Sequence, residues 1–172
     1  MRFELKHTFD APIDAVLAAM FDPGLFDHLK KNMSTIHDIQ PIERTEDEGT
    51  IRRRTRYTPV PLIKRVGPKQ VPPGAMAFIE DSRLDKRARR LEFENIPDLA
   101  TLRKLLVNKG TISFRDLGGG RTERTVAGEL TVKVFLLGKI AERLIYGEAE
   151  KILNEEARAL AGFLTVRKAG GE

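Results

Sequence analysis

The sequence predicts an α+β protein: a curved antiparallel sheet of about six or seven strands wrapped around one long C-terminal helix. Three observations predict it. A short alternating strand opens the chain and is followed at once by two short helices. A run of strands comes next, with no helix between them long enough for a parallel crossover. The chain then closes on a sustained apolar stripe at helical spacing.

The elements follow in order. Phe3, Leu5, His7 and Phe9 alternate with Arg2, Glu4, Lys6 and Thr8, a period-two strand with one buried face. Asp10-Ala11-Pro12 stops it, with Asp10 placed to cap a helix and Pro12 where a first turn tolerates proline. A short helix is expected over 13–20. Asp22-Pro23-Gly24 breaks it, and a second covers 25–31. Residues 34–44 read as a strand in which Pro41 marks an edge or a bulge. Glu46-Asp47-Glu48-Gly49 is a hairpin turn into a strand over 50–58, rich in Arg and Thr. Residues 59–73 hold Pro59, Pro61, Pro68, Pro72 and Pro73, and form neither a regular helix nor a central strand. Their apolar members, Val60, Leu62, Ile63 and Val66, suit a gate or a rigid cover.

Residues 75–84 and 89–96 form a hairpin joined at Asp85-Lys86-Arg87, whereas 99–107 is ambiguous between helix and loop. Strands over 110–117 and 121–134 are joined by Gly118-Gly119-Gly120, a turn that needs positive φ. From Phe135 to Leu164 apolar residues recur every three or four positions. The expected organisation is one domain over 1–166 and a disordered tail over 167–172.

Composition narrows the function. The 172 residues carry 30 basic and 25 acidic side chains, a net charge of +5, and no Cys. Thiolate metal sites and disulfides are excluded, and nothing in the spacing of His7, His28 and His37 brings them together, so no metal or cofactor is expected. The N-terminus lacks the apolar core of a signal peptide, which points to the cytoplasm. With 6% aromatic residues and no Trp, base-stacking platforms for nucleic acid are not expected. Walker, Rossmann and G-x-S-x-G patterns are absent. A helix of about thirty residues would be about 45 Å long, and its stripe needs the sheet's inner face. A bent sheet touches a straight helix more easily at the ends than in the middle, so a cavity is expected between them.

The opening Phe3-Glu4-Leu5-Lys6-His7-Thr8-Phe9-Asp10-Ala11-Pro12-Ile13-Asp14-Ala15-Val16 resembles the first strand, "APxxxV" turn and first helix of the START superfamily, also called SRPBCC, birch-pollen-allergen-like or polyketide-cyclase-like. The final segment resembles its closing helix, and the likeness covers nearly the whole chain. More narrowly, the chain is similar to an uncharacterised bacterial family within that superfamily. The resemblance implies a helix-grip fold with a ligand cavity. It implies no single reaction, since lipid carriers, hormone receptors, cyclases and oxygenase subunits share the fold. The Cys/His cluster of the Rieske oxygenases is missing.

Parity along the strands selects the candidate site. In the strand over 50–58, Ile51, Arg53, Thr55 and Tyr57 share the apolar phase, leaving Arg52, Arg54 and Arg56 as an exterior stripe. That stripe is either a solvated face or a weak contact with an anionic membrane. An inward Arg53 needs a partner, and the same parity turns Glu80 inward on the neighbouring strand. The pair is either a structural ion pair or a polar anchor for a ligand. Tyr57, Asn95 and Arg124 share the inward phase, with Arg124 alternatively at a wet rim. His7 reads as a satisfied core residue. Phe78, Phe93, Ile112, Phe114, Val126, Leu130 and Val132 are expected on the sheet side of the cavity, and Leu137, Ile140, Leu144 and Ile145 on the helix side. Gly128 is expected to leave room or curvature.

These residues favour binding or transport of a hydrophobic small molecule: a lipid, isoprenoid or polyketide-like compound. The alternatives are a cyclase- or dehydratase-type enzyme using Arg53, Glu80, Tyr57 or His7, and a protein-interaction domain with a filled core.

Overall fold

The computed structural model describes residues 1–61, 65–66, 69–70 and 73–169. β1 (Arg2–Phe9) leads into α1 (Ile13–Met20) and α2 (Leu25–Asn32). β2 (Ile36–Glu46) and β3 (Thr50–Pro59) follow, then a small ribbon of β4 (Arg65–Val66) and β5 (Lys69–Gln70) and a 3-10 turn at Pro73–Met76. β6 (Phe78–Asp85), β7 (Arg90–Pro97), α3 (Ala100–Arg103), β8 (Leu106–Gly118), β9 (Arg121–Val132) and α4 (Gly138–Ala169) complete the order. Seven strands form one antiparallel sheet, ordered β1-β9-β8-β7-β6-β3-β2, with α4 packed on it and on α1 and α2. This is the helix-grip arrangement that the sequence predicts.

Local chemistry explains the boundaries. The β2–β3 ladder shifts register between Pro41 and Glu43, as a strand with a proline on the sheet's edge requires. Gly118, Gly119 and Gly120 all have positive φ, which no β-branched residue would accept at that turn. Asp10 does not cap α1: the N-cap is Pro12, whose carbonyl accepts from Ala15 and Val16. The uncertain stretch over 99–107 resolves into the single turn of α3 and the start of β8, so β8 begins four residues before the expected Gly110.

The core lies at one end of α4. Ala157, Leu160 and Leu164 bury against the cluster formed by Phe9, α1, α2 and the inner faces of β2, β3, β6 and β7. Glu155 fastens the same end, accepting hydrogen bonds from the Ser34 hydroxyl at 2.6 Å and the Thr35 hydroxyl and N–H at 2.7 and 2.9 Å. The helix also outruns the expected domain end at 166. Arg167 pairs with Asp22 at 2.9 Å and the Lys168 ammonium donates to the Asp10 carbonyl, so the expected tail is helix as far as Ala169. Residues 170–172 of that tail, and Leu62 and Ile63 of the proposed gate, lie outside the described residues.

One row across the sheet replaces the room expected at Gly128. Phe93, Gly110, Gly128 and Phe3 are successive cross-strand partners on β7, β8, β9 and β1. The two rings close over the two glycines. A Cβ built on Gly128 would fall 2.8 Å from the Phe3 ring and 2.6 Å from the Lys109 carbonyl oxygen. Gly128 therefore lies under the aromatic floor: it borders a hollow on the sheet's outer face, with Asp81, Arg83 and Glu92, and not the interior. Gly128→Ala is expected to destabilise the protein by about 1–3 kcal/mol through overpacking. A urea titration reads this as a lower midpoint at constant slope, and an unchanged midpoint would contradict the tight ladder.

Candidate functional site

Between the sheet and the N-terminal half of α4 lies a cavity of about 480 Å³. Its sheet wall carries Tyr57, Phe78, Phe93 and Val126, all expected from parity. Its helix wall is formed by Ile145, Ala149, Ile152 and Leu153. Leu137, Ile140 and Leu144 are not on it: each is more than half exposed on the opposite side of the helix. The first turns of α4 are apolar on two faces, and Glu142, which accepts from the Val132 N–H at 3.0 Å and pairs with the N-terminal ammonium, fixes which one faces inward. Phe114, Leu130 and Val132 are not on the sheet wall either. Phe114 packs against the main core, and Leu130 is buried without bounding the cavity.

Two ion pairs border the cavity. Arg53, 11% exposed, donates through Nη1 to the Met20 carbonyl at the C-terminal end of α1 at 2.8 Å, and through Nη2 to Glu80 at 3.4 Å. Its guanidinium lies 4.9 Å from the Phe21 ring centre and 5.4 Å from that of Phe26. A cation there meets the negative end of α1 and two aromatic faces, which offset part of its desolvation. Glu80 lies diagonally across from Arg53, since the register pairs Arg53 with Ser82 and Thr55 with Glu80. Tyr57 stacks on Phe78 at 5.4 Å. Burial, reinforced by the Glu80 carboxylate, pushes its phenol far above the ordinary range, so it stays a neutral O–H.

The second pair is deeper. Arg124 is 1% exposed, so the wet-rim alternative falls. It donates from Nη1 and Nη2 to the two oxygens of Glu156 at 3.0 and 2.6 Å, and its Nη2 lies 3.2 Å from His7 Nδ1. His7 Nε2 meets Asn154 Oδ1 at 3.1 Å. Burial foremost, and then the Arg124 cation, hold the His7 pKa below its usual value. Neutral imidazole can accept from Arg124 at Nδ1 while donating to Asn154 at Nε2. His7 is thus the satisfied core residue that its position suggests.

The cavity wall also holds polar atoms without partners. Asn95 Oδ1, Asn108 Oδ1, Arg53 Nε and Arg124 Nε are buried and accept or donate no hydrogen bond, and all four belong to cavity-lining residues. Such atoms are costly, and they are concentrated where a bound molecule would meet them. Asn108 and Glu156 were not singled out from the sequence. Glu156 left one signal, a carboxylate at the i+4 step between the inward Ile152 and Leu160. Asn108 falls between the ambiguous stretch over 99–107 and the strand expected from Gly110. No group of three or more His, Asp or Glu that could hold a metal occurs among the described residues.

Two of the three exterior arginines are engaged, and Arg52 is exposed. Arg54 lies 3.7 Å from Asp81 and 3.9 Å from Glu43, and Arg56 pairs with Asp98 at 2.8 Å. Arg54 and Arg56 are thus paired with carboxylates from neighbouring strands and the β7–α3 turn.

A seven-stranded open sheet gripping a C-terminal helix over an internal cavity is the START-like (SRPBCC) helix-grip fold. The chain belongs to the family described as "Protein of unknown function (DUF2505)", which it matches over residues 4–164. No curated protein matches it. Solved structures do. An aromatase/cyclase, ZhuI, from Streptomyces sp. R1128 is 15% identical with a TM-score of 0.66, covering 97% of this chain and 94% of that one. A norcoclaurine synthase point mutant from Thalictrum flavum, bound to a transition state analogue, is 19% identical with a TM-score of 0.68, covering 98% and 96%. A START superfamily protein from Mycobacterium smegmatis is 14% identical with a TM-score of 0.56, covering 95% and 97%. At these identities the likeness is one of fold.

Two outcomes follow from the deeper pair. Glu156→Ala is expected to cost about 3–5 kcal/mol by stranding a buried guanidinium, while Arg124→Met with Glu156→Leu recovers most of it. Chemical denaturation of the three proteins checks this, and a mild single variant would contradict it. His7 adds a pH dependence. Its folded pKa lies below the unfolded value of about 6.5, so the unfolded chain binds the proton first. The contribution is intact above about pH 6.5 and is lost as pH falls toward the folded value. In His7→Gln that part of the decline should vanish, as measured by melting temperature between pH 8 and 5.

Proposed function

We propose that the protein binds and carries, in the cytoplasm, a hydrophobic small molecule with a polar end: a lipid, isoprenoid or polyketide-like compound. One observation carries this reading. A cavity of about 480 Å³ with mostly apolar walls holds unpartnered polar atoms at Asn95, Asn108 and Arg53. Its volume lies in the range of about 300–1,000 Å³ that accommodates small ligands. The apolar body of the cargo would rest between the Phe3 and Phe93 rings and Ile145 to Leu153 of α4. Its polar end would lie against Arg53, Glu80, Tyr57 and Asn95. A filled-core interaction domain fits poorly with so large a void.

An enzymatic reading draws on the same corner, because Glu80 and the neutral Tyr57 phenol both line the cavity beside Arg53. In a cyclase- or dehydratase-type reaction Glu80 would move the proton and Tyr57 would hold the substrate oxygen. Glu80→Gln separates the two readings: a carrier keeps binding with no product to lose, whereas an enzyme binds and stops turning over.

Native mass spectrometry of protein purified from its own host should show a retained apolar molecule. With a long-chain fatty acid as a carboxylate-bearing probe, Arg53→Ala is expected to weaken calorimetric binding about tenfold or more, the scale of one charged hydrogen bond. Arg54→Ala should leave it unchanged. Equal effects of the two, or no binding of any apolar probe, would refute the carrier.

A further inference from the structure

The segment between β9 and α4, with the first two turns of α4, has a use that the cavity does not explain. Phe135 and Leu136 are 89% and 82% exposed, and Val134, Leu137, Ile140 and Leu144 extend the patch along the outer face of the helix. Single exposed apolar residues are ordinary, but a contiguous group of six marks an interaction surface. Leu136 also has φ +62, one of two non-glycine residues among those described with positive φ. A leucine there is strained, where glycine would be at ease. The strain presents two large side chains to solvent and buries nothing.

The charges around the patch indicate what covers it. Lys133, Lys139 and Arg143 are exposed beside it, and Lys104 stands next to Leu105, whose carbonyl accepts from the Lys133 N–H at 2.7 Å. None of these four cations has a carboxylate within 4 Å among the described residues, in contrast to Arg54 and Arg56. The acid in their midst, Glu142, is turned inward to the N-terminal ammonium and the Val132 N–H. An apolar wedge among cations with no carboxylate in contact is complementary to an anionic, oily interface. A second copy suits it less, because a two-fold contact over this patch would press the cations of both chains together. The patch also adjoins the cavity: Leu102 and Leu106, on either side of Leu105, line it, as does Ile145 next to Leu144. No described helix is long and apolar enough to cross a membrane, so the contact is one of docking.

We propose that Phe135, Leu136, Ile140 and Leu144, flanked by Lys133, Lys139 and Arg143, dock the protein on the surface of an anionic lipid bilayer. This holds whatever the cavity contains, so its failure leaves the carrier reading standing.

The test is co-sedimentation with vesicles of phosphatidylcholine alone and of phosphatidylcholine with about one part in four phosphatidylglycerol. The protein should bind the anionic vesicles and be released as salt is raised. The double variant Phe135→Ser with Leu136→Ser should lower the partition coefficient about tenfold or more. Lys139→Glu with Arg143→Glu should lower it for anionic vesicles only. Leu136→Gly should bind less while melting at a higher temperature, a combination that a structural role for Leu136 would not give. Absence of binding at low salt, or binding that the serine variant leaves unchanged, overturns the proposal. So does a dimer in sedimentation equilibrium that the serine variant disperses, since the patch would then belong to a second copy.

Discussion

Arg124 and Glu156 set how the helix meets the sheet. A guanidinium that is 1% exposed is tolerable only while both oxygens of a carboxylate answer it, so the rotation and depth of α4 over β9 are set at one point. On one side of that point Ala157, Leu160 and Leu164 settle onto α1 and α2 and close the core. On the other side the helix bounds the cavity, with Ile145 to Leu153 as one wall. Neutral His7 belongs to the same arrangement, because a charged imidazole beside Arg124 would weaken the clamp that holds it.

Much of this is legible in the amino-acid order. Period-two alternation locates the strands and, through parity, turns Arg53, Tyr57, Glu80, Phe93 and Asn95 inward before any coordinates are known. Parity works because a strand has two faces and only one is apolar. The same logic finds only Ile145 of the α4 wall and adds three residues that point away. Its early turns are apolar on two sides, and a helical stripe alone does not tell which side the sheet will take. Leu137, Ile140 and Leu144 fit the period as well as Ile145 and Ile152 do. The deciding residues are polar, Glu142 and Glu156, whose partners lie far away in the chain. Asn108 was out of reach for another reason: one turn of helix and the start of a long strand share a stretch that matches neither period.

The two sets of basic residues on the surface differ in the same way. Arg54 and Arg56 form the denser cluster in the sequence, yet Asp81, Glu43 and Asp98 stand beside them once the strands pair. Lys133, Lys139 and Arg143 are spaced along the chain, and the acid among them, Glu142, is engaged by the N-terminal ammonium and the Val132 N–H. Charge density along a chain is therefore a poor guide to the field at its surface, because β pairing delivers counter-charges from other strands.

The aromatic-glycine row has an evolutionary consequence. Phe93, Gly110, Gly128 and Phe3 come from four strands, yet they behave as one unit of substitution. A ring could shrink to admit a methyl group, but the Lys109 carbonyl beside Gly128 belongs to the backbone and has no smaller version. A relative that carried alanine there would need its strands spaced differently, and with them the floor of its cavity. Divergence in this lineage should accordingly be slow along that row and free at the turns on either side.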